Sequence, residues 1–332
     1  MPADHLTEAA PSQLAAGVLA VLAGAQPEAA AVKHGLQPDQ LTEAVQVYVA
    51  AGYAALERHT EQQWHQVLVE FPAWEQAEKI AATQLRPRLD DLHHHGVIGG
   101  WWFLRKHPYW RIRLRIPSPG PDAALAAADV VTETLTELTD LGLIAGWRRS
   151  IYEPEHAAFG GPTAMGTVHD LFCADSRGVL DYALTAPPRI GRREVSIMLI
   201  HALLHGARLD WFESGDVFHR VAQLRPAPPD STPQEAMDAL ADKVRTLIHT
   251  AAEATDLLFG PGGPAAFAAD WRDDFHAAGR RLGAAAADGR LDRGLRALLT
   301  HVVIFHWNRL GLSATTQGIL ARAATAAFLP RS

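Results

Sequence analysis

Arginine recurs at every second position in the segment Trp110–Ile116. Side chains alternate between the two faces of a β-strand, so Arg111, Arg113 and Arg115 are expected on one face of a sheet. Three guanidinium groups at this spacing repel one another unless carboxylates or a bound anion neutralise them. The segment therefore predicts a binding face for a carboxylate or a phosphate. The alternative is a solvated face whose arginines pair with Asp and Glu of a covering helix.

A second group of polar residues lies where a predicted strand gives way to a helix. Tyr152 and Glu155 precede a Gly-Gly pair and Pro162, which is well placed to begin a helix. Corners of this kind often carry functional side chains. Glu155 is a candidate general acid or base if it is partly buried. The alternative is an ion pair between Glu155 and Arg148 or Arg149.

The segment His301–Gly311 places His306 within an apolar helix. A histidine in such a helix is a candidate proton shuttle, because its pKa lies near neutral pH. Helical spacing puts Arg309 on the same face as His306, with Asn308 to one side. The alternative is a core histidine whose hydrogen bonds are satisfied by its neighbours.

Metal and cofactor signals are weak. His201 and His205 are spaced i,i+4, but the segment lacks the glutamate of a zinc-protease helix and an evident third ligand. The sequence has no phosphate-binding glycine loop and no serine-hydrolase elbow. Cys173 is predicted to be a small packing residue rather than a nucleophile. We therefore expect no metal and no cofactor.

A sheet and a helical partner are needed to position these residues. Over about 64–155 the hydrophobic periodicity alternates between strand and helix in the order β-α-β-β-α-β, with a short hairpin between the central strands. Pro87 is expected to bend or divide the first of these helices. The last strand is predicted over Trp147–Glu153. This order is that of a ferredoxin-like split sheet.

The rest of the chain is predicted to be helical. Over about 160–330 we expect helices at Pro162–Leu184, Arg193–Leu209, Pro233–Leu258, Ala265–Ala286 and Leu291–Leu310, and a last one from near Ser313. The first sixty residues read as short helices. We therefore predict one α+β domain over 61–332, its second half mostly helical, preceded by a small helical extension over 1–60.

Composition excludes several function classes. The chain has 30 Lys and Arg against 37 Asp and Glu, and its net charge of −7 opposes nonspecific binding to nucleic acid or anionic membrane. The segment 29–45 is typical of a helix-turn-helix, but its second helix carries Asp39 and Glu43 and no basic residue, so DNA binding is not expected. The single cysteine and the lack of an apolar run of about 18 residues favour a cytoplasmic protein without a membrane span.

Three motifs together resemble a known family. They are the strand pair WWFLRKHPYWRIRLR, the corner YEPExxAFGGPxAM followed by Asp175-Ser176, and the late helix HVVIFHWNRLGL. In this order they resemble the C-terminal elimination domain of lantibiotic dehydratases and their stand-alone thiopeptide relatives. The resemblance spans about Trp64 to Phe328.

The resemblance implies the maturation of a ribosomally synthesised, post-translationally modified peptide (RiPP). In that family a separate glutamylation domain loads Ser or Thr of a precursor peptide from glutamyl-tRNA. The elimination domain, a lyase, then removes the α-proton and expels glutamate, leaving dehydroalanine or dehydrobutyrine. The implied catalytic residues are Arg113, Arg115, Glu155 and His306, and the implied substrate-binding residues are Arg111, Tyr152, Asn308 and Arg309. The implied partners are the precursor peptide, a separate glutamylation subunit and a second copy of the chain.

One departure from the family pattern leaves the reaction open. Many dehydratases read ExxRYGG, whereas this chain has Ala158 where that arginine stands. Arg149 and Arg309 are the candidate replacements. Thiopeptide pathways reuse the same fold for a formal [4+2] cycloaddition of two dehydroalanines, which needs shape and hydrogen bonds more than a glutamate pocket. A third alternative is a non-catalytic subunit that docks the peptide through its N-terminal helices.

Overall fold

The computed structural model describes residues 10–61, 63–117, 121–185, 190–227 and 233–329. The chain divides into two compact units, Met1–His59 and Thr60–Ser332. Each unit has its own hydrophobic core. No helix in the described part of the chain is long and apolar enough to cross a membrane.

The N-terminal unit is helical throughout its described residues. Each helix begins with a proline, which has the backbone angle of a first helical residue and lacks the N–H that would stay unpaired there. Gly35 ends the second helix in the left-handed conformation, with φ of 66°. The helices are α1 (Pro11–Leu22), α2 (Pro27–His34) and α3 (Pro38–Glu61). Their core consists of Val18, Ala30, Ala31, Leu36 and Leu41.

The second unit begins with a four-stranded antiparallel sheet in its described residues. The strands are β1 (Trp64–Glu70), β2 (Gly100–Lys106), β3 (Tyr109–Arg115) and β4 (Gly146–Ser150), in the spatial order β2-β3-β1-β4. β4 ends earlier than predicted. The Gln66 side-chain amide donates from Nε2 to the Ile151 carbonyl. A side-chain hydrogen bond therefore takes the place of a backbone hydrogen bond to β1 at Ile151.

Helices connect the strands on either side of the hairpin. The first connection consists of α4 (Ala77–Ile80), a π-helical turn (Ala81–Leu85) and α5 (Arg86–His94). Pro87 follows the π turn, so the predicted division of this helix is present; proline cannot donate the regular hydrogen bond and its ring crowds the preceding turn. The second connection is α6 (Pro121–Asp140), which contacts β4.

The remaining described residues are mostly helical, which confirms the predicted α+β architecture with a helical second half. Their helices are α7 (His156–Phe159), α8 (Pro162–Leu184), α9 (Arg192–Gly206), α10 (Trp211–Gln223), α11 (Gln234–Glu253), α12 (Thr255–Phe259), α13 (Ala269–Ala287), α14 (Leu295–Arg309) and α15 (Ala314–Phe328). The helix α10 was not predicted. Its signal is a capping box, in which Asp210 accepts from the Glu213 backbone and Glu213 accepts from that of Asp210.

The helices α9 and α13 meet at glycines. A β-carbon on Gly279 would lie 2.1 Å from the Leu203 carbonyl oxygen, and one on Gly206 would lie 2.2 Å from that of His276. Because glycine has no side chain, the two backbones approach to a separation that any other residue would prevent. These glycines fix how α13 lies against the rest of the core.

Candidate functional site

The arginine face of the sheet is covered by the helical half. The register aligns Arg113 with Gln66 on β1 and with Trp102 on β2, so these three side chains share one face. Arg111 and Arg115 lie on the same face, as the alternation predicts. The helix α8 packs against β2, and its Phe172 ring lies 4.9 Å from that of Trp102.

Arg113 is the most enclosed of the three arginines, with 4% of its surface exposed. Its Nε donates to Gln66 Oε1 at 2.9 Å, and its Cζ lies 4.1 Å from the Trp102 ring centroid and 5.3 Å from that of Tyr152. Within the described residues its Nη1 has no hydrogen-bond partner and no carboxylate pairs with it. Burial lowers the pKa of the Arg113 guanidinium to about 10, so the group stays cationic at neutral pH.

Arg115 is half-buried at the edge of a cavity. Its Nη2 donates to the Gly99 carbonyl at 2.6 Å. The cavity measures about 440 Å³ and is also lined by Arg86, Arg177 and Asp274. Burial raises the pKa of the Asp274 carboxyl, and nearby aspartates add to the effect. The cavity therefore presents groups of both charges beside a predicted catalytic arginine.

Tyr152 is joined to a histidine that the sequence did not single out. The Tyr152 hydroxyl lies 2.7 Å from His169 Nε2. His169 is 4% exposed, and the Trp64 and Trp102 rings lie 4.6 and 6.2 Å from it. Burial, followed by the positive charges of Arg113 and Arg115, lowers the pKa of His169 to about 3. The imidazole is therefore neutral at any physiological pH.

Glu155 is exposed rather than partly buried. Its negative charge is close enough to raise the pKa of Arg113. Among the described residues it forms no ion pair with Arg148 or Arg149. Arg148 stacks on the Tyr109 ring, and Arg149 lies on the opposite sheet face and donates to Thr132. Arg149 therefore cannot replace the family arginine on the Arg113 face.

His306 lies in a buried hydrogen-bond network around Asp175. The Asp175 carboxylate meets His306 Nδ1 at 2.8 Å and accepts from Arg309 Nε at 2.5 Å and from Trp271 Nε1 at 3.0 Å. Asp175, His306 and Arg309 are each 0% exposed. Burial alone would raise the pKa of Asp175, but His306 and Arg309 hold it below its usual value, so the carboxylate is ionised. Asn308 points elsewhere and accepts from Gln317 Nε2 at 2.9 Å.

Trp102 connects this network to the arginine face. The Arg309 Cζ atom lies 4.1 Å from the Phe172 ring centroid and 6.0 Å from that of Trp102, on which Arg113 also stacks. Neither Nη of Arg309 has a hydrogen-bond partner in the described chain. The buried charged groups there are thus the guanidiniums of Arg113 and Arg309 and one carboxylate, that of Asp175. Burying an unpaired charge is costly, and these buried groups have one more positive charge than their own carboxylate neutralises, while the exposed Glu155 acts on Arg113 from outside them.

Sequence patterns alone do not identify several residues of the site. The roles of Gln66, Trp102 and His169 depend on strand register and helix packing, which local periodicity does not contain. The position of Asp175 in the sequence does indicate that it is buried, because it lies four residues after Leu171 and four before Val179 on the apolar stripe of α8. A carboxylate at a core position requires a buried partner.

Three histidines that are possible metal ligands lie near one another, with their rings about 6 Å apart. The His205 ring lies 6.2 Å from that of His201 and 5.7 Å from that of His276 on α13. In the described part of the chain, no group of three or more His, Cys, Asp or Glu side chains has the geometry of a metal site.

One family model matches most of the chain, and solved structures show a similar fold. A family model described as "Lantibiotic biosynthesis dehydratase C-term" matches residues 64–328. The fold is similar to that of the tRNA-dependent lantibiotic dehydratase MibB from Microbispora sp. 107891, at 20% identity and a TM-score of 0.60 over 80% of this chain. The chain spans only 28% of the MibB chain. It is also similar to TsrL, at 17% identity and a TM-score of 0.54 over 81% of this chain and 100% of that one.

A third solved structure, the pyridine synthase TbtD from thiomuracin biosynthesis, gives 15% identity and a TM-score of 0.49 over 80% of this chain and 97% of that one. No curated protein matches the chain by sequence.

Proposed function

The chain belongs to the lantibiotic dehydratase C-terminal family, and from this premise we propose that it expels glutamate from glutamylated Ser or Thr of a precursor peptide. In this reaction a base takes the α-proton, the Cβ–O bond to the glutamyl group breaks, and a Cα–Cβ double bond forms. Glutamate leaves with the electron pair of the broken bond, so it needs no proton to depart. The protein must hold an anion and accept a proton.

The observation that carries the proposal is the uncompensated buried charge at Arg113. Its guanidinium is held by Gln66 and Trp102 and has an unpaired Nη1. A carboxylate of the glutamyl group would supply the missing negative charge and acceptor. Arg111 and Arg115 on the same face would hold the second carboxylate as it forms. A cation placed where charge develops lowers the barrier to leaving-group departure.

We assign the proton acceptor to His306, with Glu155 as the competing candidate. Asp175 contacts the His306 Nδ1 atom, which favours the tautomer with a proton there and leaves Nε2 with a lone pair. Within the described residues Nε2 has no partner. His306 is enclosed, however, whereas Glu155 is exposed to an arriving peptide. Replacing each in turn, as His306→Gln and Glu155→Gln, separates the two.

The second candidate function is the [4+2] cycloaddition of two dehydroalanines. Two observations favour it: Ala158 stands where the family arginine is expected, and the Arg113 site has aromatic walls in Trp64 and Trp102. Such a reaction needs a shaped apolar surface and neutral hydrogen-bond groups, which Tyr152 and His169 could provide. The lyase remains the first proposal because a cycloaddition makes no use of excess buried positive charge.

The proposal extends to architecture and partners. We infer a ferredoxin-like sheet, supported by the strand order β2-β3-β1-β4 with a helical connection after β1 and another after β3. We infer that a separate subunit glutamylates the peptide, as the resemblance to the family implies. A homodimer and a peptide-docking role for the N-terminal helices complete the proposal. Light scattering tests the dimer, and peptide binding by the full chain and by a chain lacking residues 1–59 tests the docking role.

One paired assay tests the reaction. Purified full-length protein is incubated with a precursor peptide carrying glutamyl-Ser and, separately, with a bis-dehydroalanine peptide, and products are identified by mass spectrometry. The lyase predicts loss of glutamate from the first peptide and no change in the second. Arg113→Met should abolish the loss, while Arg149→Met, on the opposite sheet face, should not. Ring formation from the second peptide alone would replace the lyase with the cyclase.

A further inference from the structure

We propose that the outer edge of β4 is a docking site, at which an extended, acidic segment of the precursor peptide pairs with the sheet as a further strand. The identity of this partner rests on the proposed function, whereas the docking itself does not require that the protein is a lyase. The site lies on the sheet and is separate from the N-terminal helices.

β4 lies at one end of the sheet, and its outer edge is accessible. In the described part of the chain β4 pairs only with β1, and the backbone of Gly146–Ser150 forms no hydrogen bond to residues outside the sheet. Arg148 and Arg149 are exposed, and Ile151, just beyond the strand, is 82% exposed. An uncovered edge offers its backbone N–H and C=O groups to an added strand.

Two arginines give this edge a positive charge on both faces of the sheet. Leu68 of β1 aligns with both Arg111 and Arg148, so Arg148 lies on the arginine face and Arg149 on the opposite one. Arg148 stacks on a tyrosine ring and Arg149 donates to a threonine hydroxyl, and within the described residues neither pairs with a carboxylate. An added strand with two consecutive acidic residues would place one carboxylate beside each arginine.

An apolar groove beside Arg149 provides a place for a third side chain. It measures about 340 Å³ and is lined by Trp147 of β4 and by Leu125 and Val131 of α6, with Leu125 62% exposed. Trp147 and Arg149 share one face of the sheet, because they are two residues apart on a strand. An apolar residue two positions from an acidic one would therefore reach the groove while the acid reaches Arg149.

The same arginines disfavour a second copy of β4 as the occupant. In a twofold antiparallel pair of β4 strands, an axis through Arg148, through Arg149 or between them places guanidinium groups opposite one another. Like charges directly opposite on paired strands are destabilising. Charged residues on an edge strand commonly prevent such self-pairing. For an acidic strand the repulsion becomes an attraction, so the two arginines select the partner.

The edge leads directly to the candidate site. Tyr152 follows β4 by two residues, and its ring lies 5.3 Å from the Arg113 Cζ atom. A peptide paired along β4 and continuing past Ile151 would therefore approach the arginine face. Docking at the edge would raise the local concentration of the residue to be modified without using any contact at the reacting atoms.

The test measures binding of a fluorescein-labelled peptide, Thr-Val-Leu-Glu-Glu-Leu-Val-Thr, to the full-length protein by fluorescence anisotropy. The sequence is the same in both directions, so it suits parallel and antiparallel pairing. Replacing both arginines, as Arg148→Glu with Arg149→Glu, should weaken binding by about tenfold or more. A peptide with Lys-Lys at its centre should bind this variant better than wild type. Lys243→Glu, the same charge change at an exposed position of α11, is the matched control and should bind as wild type.

Backbone methylation distinguishes strand pairing from attraction between charges alone. The N–H groups of alternate residues point to one edge of a strand, so two further peptides carry N-methyl groups on the odd or on the even residues. We expect one of the two to lose binding and the other to keep it. Equal affinities of the methylated peptides, unchanged binding by the charge-reversed variant, or no binding to wild type would each overturn the proposal.

These outcomes are independent of the lyase assay, because no glutamylated peptide is used. A protein that binds the labelled peptide but leaves glutamyl-Ser unchanged would refute the lyase alone. An active lyase that does not bind the labelled peptide would refute the docking site alone. Circular dichroism of each variant confirms that lost binding is not a lost fold.

Discussion

The buried neutral imidazole of His169 predicts a specific loss of stability in acid. Its pKa falls from 6.5 to about 3 on folding, with burial as the main cause and Arg113 and Arg115 as contributors. Between these two values the unfolded chain binds a proton that the folded chain does not, so the free energy of unfolding falls as the pH falls. The slope is about 1.4 kcal/mol per pH unit. Between pH 7 and pH 5 this effect acts only below 6.5, over about 1.5 pH units. The free energy of unfolding therefore falls by about 2 kcal/mol over that interval.

The measurement is urea unfolding of wild type and His169→Gln at pH 7 and pH 5. All nine tryptophans lie at or after Trp64, so their fluorescence reports on the second unit. Wild type should lose about 2 kcal/mol more than the variant over this interval. His201, whose pKa burial lowers to about 4, contributes equally to both proteins and cancels. His94→Gln, at an exposed position, is the control and should match wild type. Equal losses in wild type and His169→Gln would refute the reasoning.

Three further predictions follow from contacts in the core and at the site. Asp175→Asn leaves the Arg309 charge buried without its partner and should lower the free energy of unfolding by about 3–5 kcal/mol in urea titrations. Gly178→Ala places a β-carbon 2.3 Å from the Trp271 ring and should cost about 1–3 kcal/mol, whereas Gly166→Ala, in the same helix with open space around it, should stabilise by about 0.5–1 kcal/mol; equal melting shifts would contradict this. Arg113→Lys should fold normally yet lose most lyase activity in the mass assay, because an ammonium cannot reproduce the guanidinium fork; retained activity would argue against a bidentate carboxylate contact.

Local patterns were sufficient for most of the helices and strands. The limits of α8, Pro162–Leu184, match the prediction, since a proline begins the helix and a continuous apolar stripe follows it. The alternation in Tyr109–Arg115 was equally informative, because strand periodicity alone assigns the arginines to one face. α10 was missed since Ser214 and Gly215, rather than large apolar residues, occupy the first buried positions of its core-facing stripe.

The contents of the site depended on contacts between distant residues. Asp175 and His306 are 131 positions apart, and no periodicity links them. The exposure of Glu155 and the full burial of Arg309 were likewise set by tertiary packing. The proposed catalytic and substrate-binding roles, including those of Arg113, Arg115 and His306, therefore stay predictions until variants are assayed.

The glycine contacts between α9 and α13 have a mechanical consequence for the site. With Gly206 and Gly279 against backbone carbonyls, α13 cannot rotate or slide along α9 without a collision. Trp271 lies on that same helix and donates to Asp175. The backbone contacts at these glycines thus fix the position of the Trp271 indole. Through the indole they also fix how the Asp175 carboxylate is aligned with His306 and Arg309. Adjusting the site by evolution or design would then be easier from α8 and the sheet than from α13.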